Sequence, residues 1–191
     1  MDTNYLDWIP MCPAQFRQRF KEILEHPPGT PEGAAYFKYG NLVPEPEDRM
    51  DESTPEEVRK KRVEQRRKFA KAWGKYAEAI TARHLVLQGL PLREWDWRPG
   101  KGKGEIDLIT QRGNRIIFIE VKARDGKHTD PWKTITPSKI RDLCRGANIY
   151  LKQQRERYEY QFDVVLPTGT YDDFTFEYIT DAFMCPLSSW P

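Results

Sequence analysis

Residues 104–122, GEIDLITQRGNRIIFIEVK, constrain the fold more than any other stretch of this chain. Two apolar-rich runs, 106–110 and 115–121, flank Gly113-Asn114, a dipeptide that supplies the positive φ a two-residue hairpin turn demands. The spacing predicts an antiparallel hairpin whose register sets Asp107 opposite Glu120 and Glu105 opposite Lys122. Side chains alternate along a strand, so residues 105, 107, 120 and 122 share one face. Ile106, Leu108, Ile117, Ile119 and Val121 then make an apolar wall on the other. Three carboxylates and an ammonium converge on one patch.

Such a patch suits metal-assisted hydrolysis. Neighbouring carboxylates repel unless a cation sits between them, and hard oxygen ligands favour Mg²⁺ or Mn²⁺. A divalent ion held there polarises a phosphoryl oxygen and activates water. Lys122, two residues after Glu120, is placed to assist the nucleophilic water. The competing reading is a surface ladder of cross-strand ion pairs, which are common and contribute little.

Asp107 followed by Glu120-Val121-Lys122 has the D…ExK spacing of the PD-(D/E)XK nucleases. A longer pattern resembles the YraN family: GKYAEAITARHLVLQGL and then DWR within 74–98, GEIDLI at 104–109, FIEVKAR at 118–124, TPSK at 136–139, FDVV at 162–165 and DAF at 181–183. YraN proteins are small bacterial proteins similar to archaeal Holliday junction resolvases. The resemblance spans about residues 66–186 in one order. It implies a restriction-endonuclease-like fold, a metal site and nucleic acid as partner. The helix of that family carries a Gly-Glu pair where this chain has Ala77-Glu78, which implies Glu78 as a further ligand. Similarity to the resolvases also raises a homodimer, whose two-fold symmetry suits a two-fold substrate.

Composition sets the outer bounds. With 191 residues the chain can form one domain with a proper core and an additional segment. A net charge of +2 gives no general support for nucleic-acid binding, which must come from local basic patches. No apolar run approaches the ~20 residues that span a bilayer, and Asp2, Asp7 and early prolines are unlike a signal peptide. The cysteines, Cys12, Cys144 and Cys185, are widely spaced and odd in number. Neither a zinc site nor a disulfide framework is expected, and a cytoplasmic location fits.

From the N-terminus, residues 13–26 carry an apolar stripe of Phe16, Phe20, Ile23 and Leu24 at helical spacing. Residues 27–53 read as an irregular connector, and 1–60 as an extension before an endonuclease-like domain at 61–191. The extension is either a partner-binding or substrate-gating arm, or an arm docked on the core. Thr54-Pro55 predicts a capped helix start, with helix-compatible sequence to Gln88 and a possible break at Gly74. Its basic run, residues 59–68, is either a phosphate-tracking face or a solvated one. Glu78 shares a helical face with Ala82 and Leu85, so it turns inward and needs a partner: an arginine such as Arg98, or the acidic face of the hairpin.

Trp95 to Trp97 predict an outer strand. Arg98, Lys101 and Lys103 on or beside the glycine-rich loop 99–104 are candidate phosphate contacts. His128 lies in a polar, turn-rich stretch and is left out of the catalytic set. Thr136-Pro137 starts a helix to about 153 whose stripe includes Cys144 as a core residue. Lys139, in its first turn, follows the ExK strand at an interval similar to that in the YraN family, and this resemblance implies a role in binding phosphate or assisting Lys122. Strands are expected at 158–166 and 174–180 around a turn at 167–173, with 158–166 parallel to the ExK strand.

The sequence thus predicts an α/β chain with a mixed central sheet flanked by helices. The expected activity is a Mg²⁺- or Mn²⁺-dependent phosphodiester hydrolase acting on DNA, branched or otherwise structured. Asp107 and Glu120 would hold the ion, Lys122 would assist the water, and Glu78 and Glu105 would complete the acidic cluster. The alternative is a non-catalytic nucleic-acid-binding or scaffold protein that retains the fold.

Overall fold

The computed structural model describes residues 6–38, 55–100, 104–123, 135–170 and 173–185. Strands β1 (Leu92–Trp97), β2 (Ile106–Arg112), β3 (Arg115–Val121), β4 (Glu159–Thr170) and β5 (Asp173–Ile179) form one sheet in that spatial order. The β3–β4 pair is parallel and the others are antiparallel. The parallel step is made through a helix, Pro137–Lys152, because parallel neighbours require a crossover. The expected mixed α/β architecture is therefore present.

The hairpin has the predicted register, with Leu108 opposite Ile119 and Arg112 opposite Arg115. Gly113 adopts φ +57°, and Asn114 keeps negative φ. That is the glycine-first pattern of a hairpin turn. Both faces of the hairpin are buried, however. Leu108, Ile117, Ile119 and Val121 face one core, and Ile109, Ile116 and Phe118 face the other.

Ile106 departs from the expected wall and packs on the side opposite Leu108, together with Trp97. The backbone accounts for part of the switch: Asp96 sits at φ +53°, which breaks the alternation of β1 between Trp95 and Trp97. Gly104, at φ +94°, is pressed against the crossover helix, where a Cβ would meet the Asp142 carbonyl oxygen at 2.2 Å. Only glycine fits such a contact at that φ, and it fixes where β2 begins.

Helices α1 (Ala14–Glu25), α2 (Pro31–Phe37) and α3 (Glu56–Leu87) precede the sheet. The α2 helix corrects the expectation that 27–53 is irregular throughout. Thr30 caps it by accepting from the Gly33 N–H at 3.0 Å, and Pro31 occupies its first turn. Helix α3 runs unbroken through Gly74, supported by tertiary contacts in its second half, where burial begins at Ala72. It starts one residue later than expected, with Pro55 as its N-cap, and Thr54 lies outside the described residues. It ends in a Schellman turn: Leu90 N–H donates to Leu85 and Gly89 N–H to Val86, with Gly89 at φ +78°.

The first core lies between the sheet and α1 and α3. Trp8, Cys12, Phe20, Ile23 and Leu24 belong to it alongside Tyr76, Leu85 and Leu108, with Phe20 stacked 4.2 Å from Trp95. The N-terminal helix thus contributes its apolar stripe to the sheet's own core, and a boundary at 60/61 falls inside α3. The second core lies beneath the crossover helix, α4 (Pro137–Lys152), where Leu143, Ala147 and Tyr150 cover Ile106, Ile109 and Phe118.

Cys144 of α4 is bonded to Cys185 across 41 residues. This corrects the expectation against disulfides, while Cys144 is buried in the second core as expected. An odd cysteine count permits one bridge and one free thiol, here the buried Cys12. The premise from cysteine usage to a reducing compartment falls with it. No helix among the described residues is long and apolar enough to cross a membrane. Strands β4 and β5 run further into 167–173 than predicted, and residues 171–172 lie outside the described residues.

Candidate functional site

The site lies at the end of the β2–β3 hairpin remote from its turn. The paired ladder ends at Leu108 and Ile119. Beyond it the Asp107 carboxylate accepts the Val121 N–H at 2.8 Å, a donor that an unbroken ladder would pair with main chain. Asp107 thereby terminates the pairing and is held at the mouth of the opening strands. It is 6% exposed. Burial, then the Glu120 and Glu78 carboxylates, push its pKa well above the usual carboxylate range, and Lys139 and the Val121 N–H only partly offset this.

Glu120, opposite Asp107 by register, is 1% exposed and flanked by two lysines. The Lys122 Nζ lies 2.6 Å from Oε1 and the Lys139 Nζ 3.0 Å from Oε2. Among the described residues neither Glu120 oxygen has a partner that meets hydrogen-bond angles, so the two lysines act on it chiefly as charges. Lys139 comes from the first turn of α4, whose start is fixed by Thr136 accepting the Lys139 N–H at 3.2 Å. Burial works against the Lys139 ammonium, but Glu120 and Asp107 outweigh it and hold its pKa above that of an ordinary lysine.

Glu78 turns inward from α3 as expected and lies in electrostatic reach of Asp107. Its partners are Lys75, whose Nζ is 2.8 Å from both oxygens, and the Trp95 Nε1–H, which donates at 2.7 Å. Burial raises the Glu78 pKa, with Lys75 and Trp95 pulling it back. Arg98, the partner suggested by sequence, instead binds Asp96 at 2.9 Å and Glu105 at 3.0 Å. Glu105 is therefore at the rim, tied to Arg98 and within reach of Lys139. Lys101, Lys103 and His128 lie outside the described residues.

Sequence reasoning missed Lys75, Trp95 and Asp96. Lys75 stands three residues before Glu78, a helical neighbour spacing that was legible. Asp96 carried no such signal. It gathers Lys75, Arg98 and Arg19 at 3.1, 2.9 and 3.3 Å. Burial opposes its charge, yet Lys75 and Arg98 hold its pKa below the ordinary value. Asp163, between two apolar residues of β4, is a separate buried carboxylate. It accepts from Tyr178, from Gln161 and from the Asp181 N–H. These bonds tie β4 to β5 and the segment after it.

Among the described residues, no three His, Cys, Asp or Glu side chains form a ready metal cluster. Mg²⁺ does not require one, since it is commonly held by one or two carboxylates and keeps several waters. Asp107 and Glu120 offer hard oxygen donors on buried side chains, where Asp107 resists ionisation and neither Glu120 oxygen is hydrogen-bonded by a described residue. That donor set fits a divalent cation. Lys122 and Lys139 supply positive charge beside it.

Comparison with known proteins covers this same region. The model of the "Uncharacterised protein family UPF0102" matches residues 77–166, which include Glu78, Asp107, Glu120, Lys122 and Lys139. A UPF0102 protein of Phocaeicola vulgatus is 31% identical over 116 residues, 60% of this chain and 94% of the relative. One from Chromohalobacter salexigens is 43% identical over 82 residues, 42% of this chain and 67% of the relative. Another from Chlorobium chlorochromatii is 33% identical over 117 residues, 58% and 89% of the two chains. With 94% of the Phocaeicola relative matched at 31% identity and 89% of the Chlorobium relative at 33%, the chain belongs to the UPF0102 (YraN) family.

Proposed function

We propose that this protein is a divalent-metal-dependent endonuclease acting on DNA, with branched or otherwise structured DNA as its substrate. The observation that carries this reading is the pairing of buried Asp107 and Glu120 at the splayed end of β2 and β3, with Lys122 and Lys139 directly on Glu120. Asp107 and Glu120 would hold Mg²⁺ or Mn²⁺. Such an ion, when bound, supplies Lewis acidity toward a phosphoryl oxygen and lowers the pKa of water. Lys122, 34% exposed at the side chain, can orient the water and offset charge on the attacked phosphorus. Lys139 keeps a second cation at the same carboxylate. Glu78 and Glu105 contribute negative charge to the surroundings, each already engaged by a cation.

A second reading is a binding protein that retains the fold without cutting. It is favoured by the lysines' occupation of Glu120 and by the lack of a ready metal cluster among the described residues. One experiment separates the two. A labelled four-way junction and a linear duplex of matched sequence are incubated with Mg²⁺ or Mn²⁺ and either wild type or Glu120→Ala. Cutting by wild type that the variant has lost supports the nuclease, and faster cutting of the junction supports the branched substrate. Equal binding by both proteins with no cutting by either favours the binding reading.

A further inference from the structure

We infer that the N-terminal helices, with α3 and β1, build a groove that holds one strand of nucleic acid and leads it toward the Asp107–Glu120 site. The inference rests on the nucleic-acid reading above and extends it to residues of α1, α2 and α3 that precede the family match. The groove encloses about 900 Å³, the size of a ligand pocket. It offers room for a short run of one strand and not for a duplex. Its cations are Arg19 of α1, Lys38 just after α2, Lys68, Lys71 and Lys75 of α3, and Arg98 just after β1. Arg19, Lys68, Lys75 and Arg98 each face a carboxylate, Lys68 that of Glu64 at 3.9 Å, so the positive charge left for a ligand is centred on Lys38 and Lys71.

The three α3 lysines recur at helical spacing along one face, over a rise of about 10 Å. Asp96 is the acidic residue of the groove wall, and it is shared among Lys75, Arg98 and Arg19. Lys38 and Lys71 are exposed and have no acidic partner among the described residues. Tyr36 and Phe37 line the same wall, and Tyr36 is 37% exposed with its ring stacked on His26 at 4.6 Å. A basic groove with an accessible aromatic ring is what an unpaired strand requires: charge for the backbone and a face for a base.

The groove and the candidate active site share side chains. Lys75 binds Glu78, which lies in electrostatic reach of Asp107, and Arg98 binds Glu105. A strand lying along α3 would pass these residues on its way to Glu120. The groove residues of α1, α2 and α3 precede residue 77, where the family match begins, whereas Asp96 and Arg98 fall inside it.

The test is fluorescence anisotropy of a short labelled thymidine oligonucleotide, single-stranded, with the full chain in EDTA so that no cutting occurs. Lys38→Glu/Lys71→Glu is compared with wild type and with Lys21→Glu/Lys60→Glu. The latter has the same charge change at exposed lysines that do not line the groove. The groove variant should bind about tenfold more weakly, and its log-affinity against log-salt slope should be shallower by about 1.4, two strand contacts at about 0.7 each. The control should stay within about twofold of wild type. Wild-type affinity in the groove variant, an equal loss in the control, or no strand binding by wild type would overturn the inference. Cleavage with Mg²⁺ is scored separately. A wild type that binds through the groove but never cuts refutes the nuclease reading and leaves the groove standing. One that cuts equally well with and without Lys38 and Lys71, and binds equally well, refutes the groove alone.

Discussion

The Lys139 ammonium stands 3.0 Å from Oε2 of Glu120, so the first turn of a helix and the end of a strand meet in one ion pair. On the proposed chemistry this cation lies where charge develops during phosphodiester cleavage. Lys139→Met should lower the single-turnover cleavage rate by roughly 10²-fold, the effect of deleting one preorganised donor. Strand affinity in EDTA should change little. A cleavage rate equal to wild type would confine Lys139 to a packing role.

Asp107 has a pKa raised by burial and by Glu120 and Glu78, and the sign of its linkage follows from that. An unfolded Asp titrates near ~3.9. With the folded value higher, its contribution to stability is complete below the unfolded value and is lost as pH rises through the folded one. Toward neutral pH that stabilisation shrinks, because the unfolded chain gains from an ionisation that the folded state resists. Asp107→Asn should unfold at higher temperature than wild type there, by about 1 kcal/mol, with the gap closing toward about pH 4. Cleavage should be abolished. Saturating Mg²⁺ should raise the Tm of wild type and leave that of Asp107→Asn unchanged, because only a bound ligand shifts the equilibrium. Thermal melts across this pH range check each point.

Lys75 and Glu78 form a mostly buried pair, with side chains 13% and 9% exposed. Removing one member of such a pair strands the other. Lys75→Met should cost about 3 kcal/mol in urea unfolding, and Lys75→Met/Glu78→Gln should recover most of it. A double variant as unstable as the single one would show that the packing of the lysine stem, not its charge, matters.

The Cys144–Cys185 bond closes a loop with a sequence separation of 41 and anchors the segment after β5 to α4. Chain-entropy arguments give such a crosslink about 2–4 kcal/mol. Reduction, or Cys185→Ser, should lower the urea midpoint accordingly. The m-value should rise slightly, because a chain without the crosslink unfolds to a more exposed ensemble. An unchanged midpoint would mean that the second core holds this segment without the bond.

By itself the sequence determined the features that depend on local pattern. Alternation and the Gly113-Asn114 turn determine the hairpin, and the hairpin's register is enough to set Asp107 against Glu120. Thr136-Pro137 determines where α4 starts, and Gly89 where α3 stops. These are short-range effects of φ, capping and period.

The tertiary structure decided which groups meet across elements. Lys139 reaches Glu120 only because α4 crosses back over the sheet, and Gly104 allows that helix to sit close. Trp95 reaches Glu78, and Ile106 leaves its expected face beside a strand that turns at Asp96. Cys144 found Cys185 through the packing of the second core, which no spacing rule encodes. Periodicity tells a residue which side of its own element it faces. The partner waiting on that side depends on how elements distant in sequence close around a common core, and there burial and charge pairing are settled together.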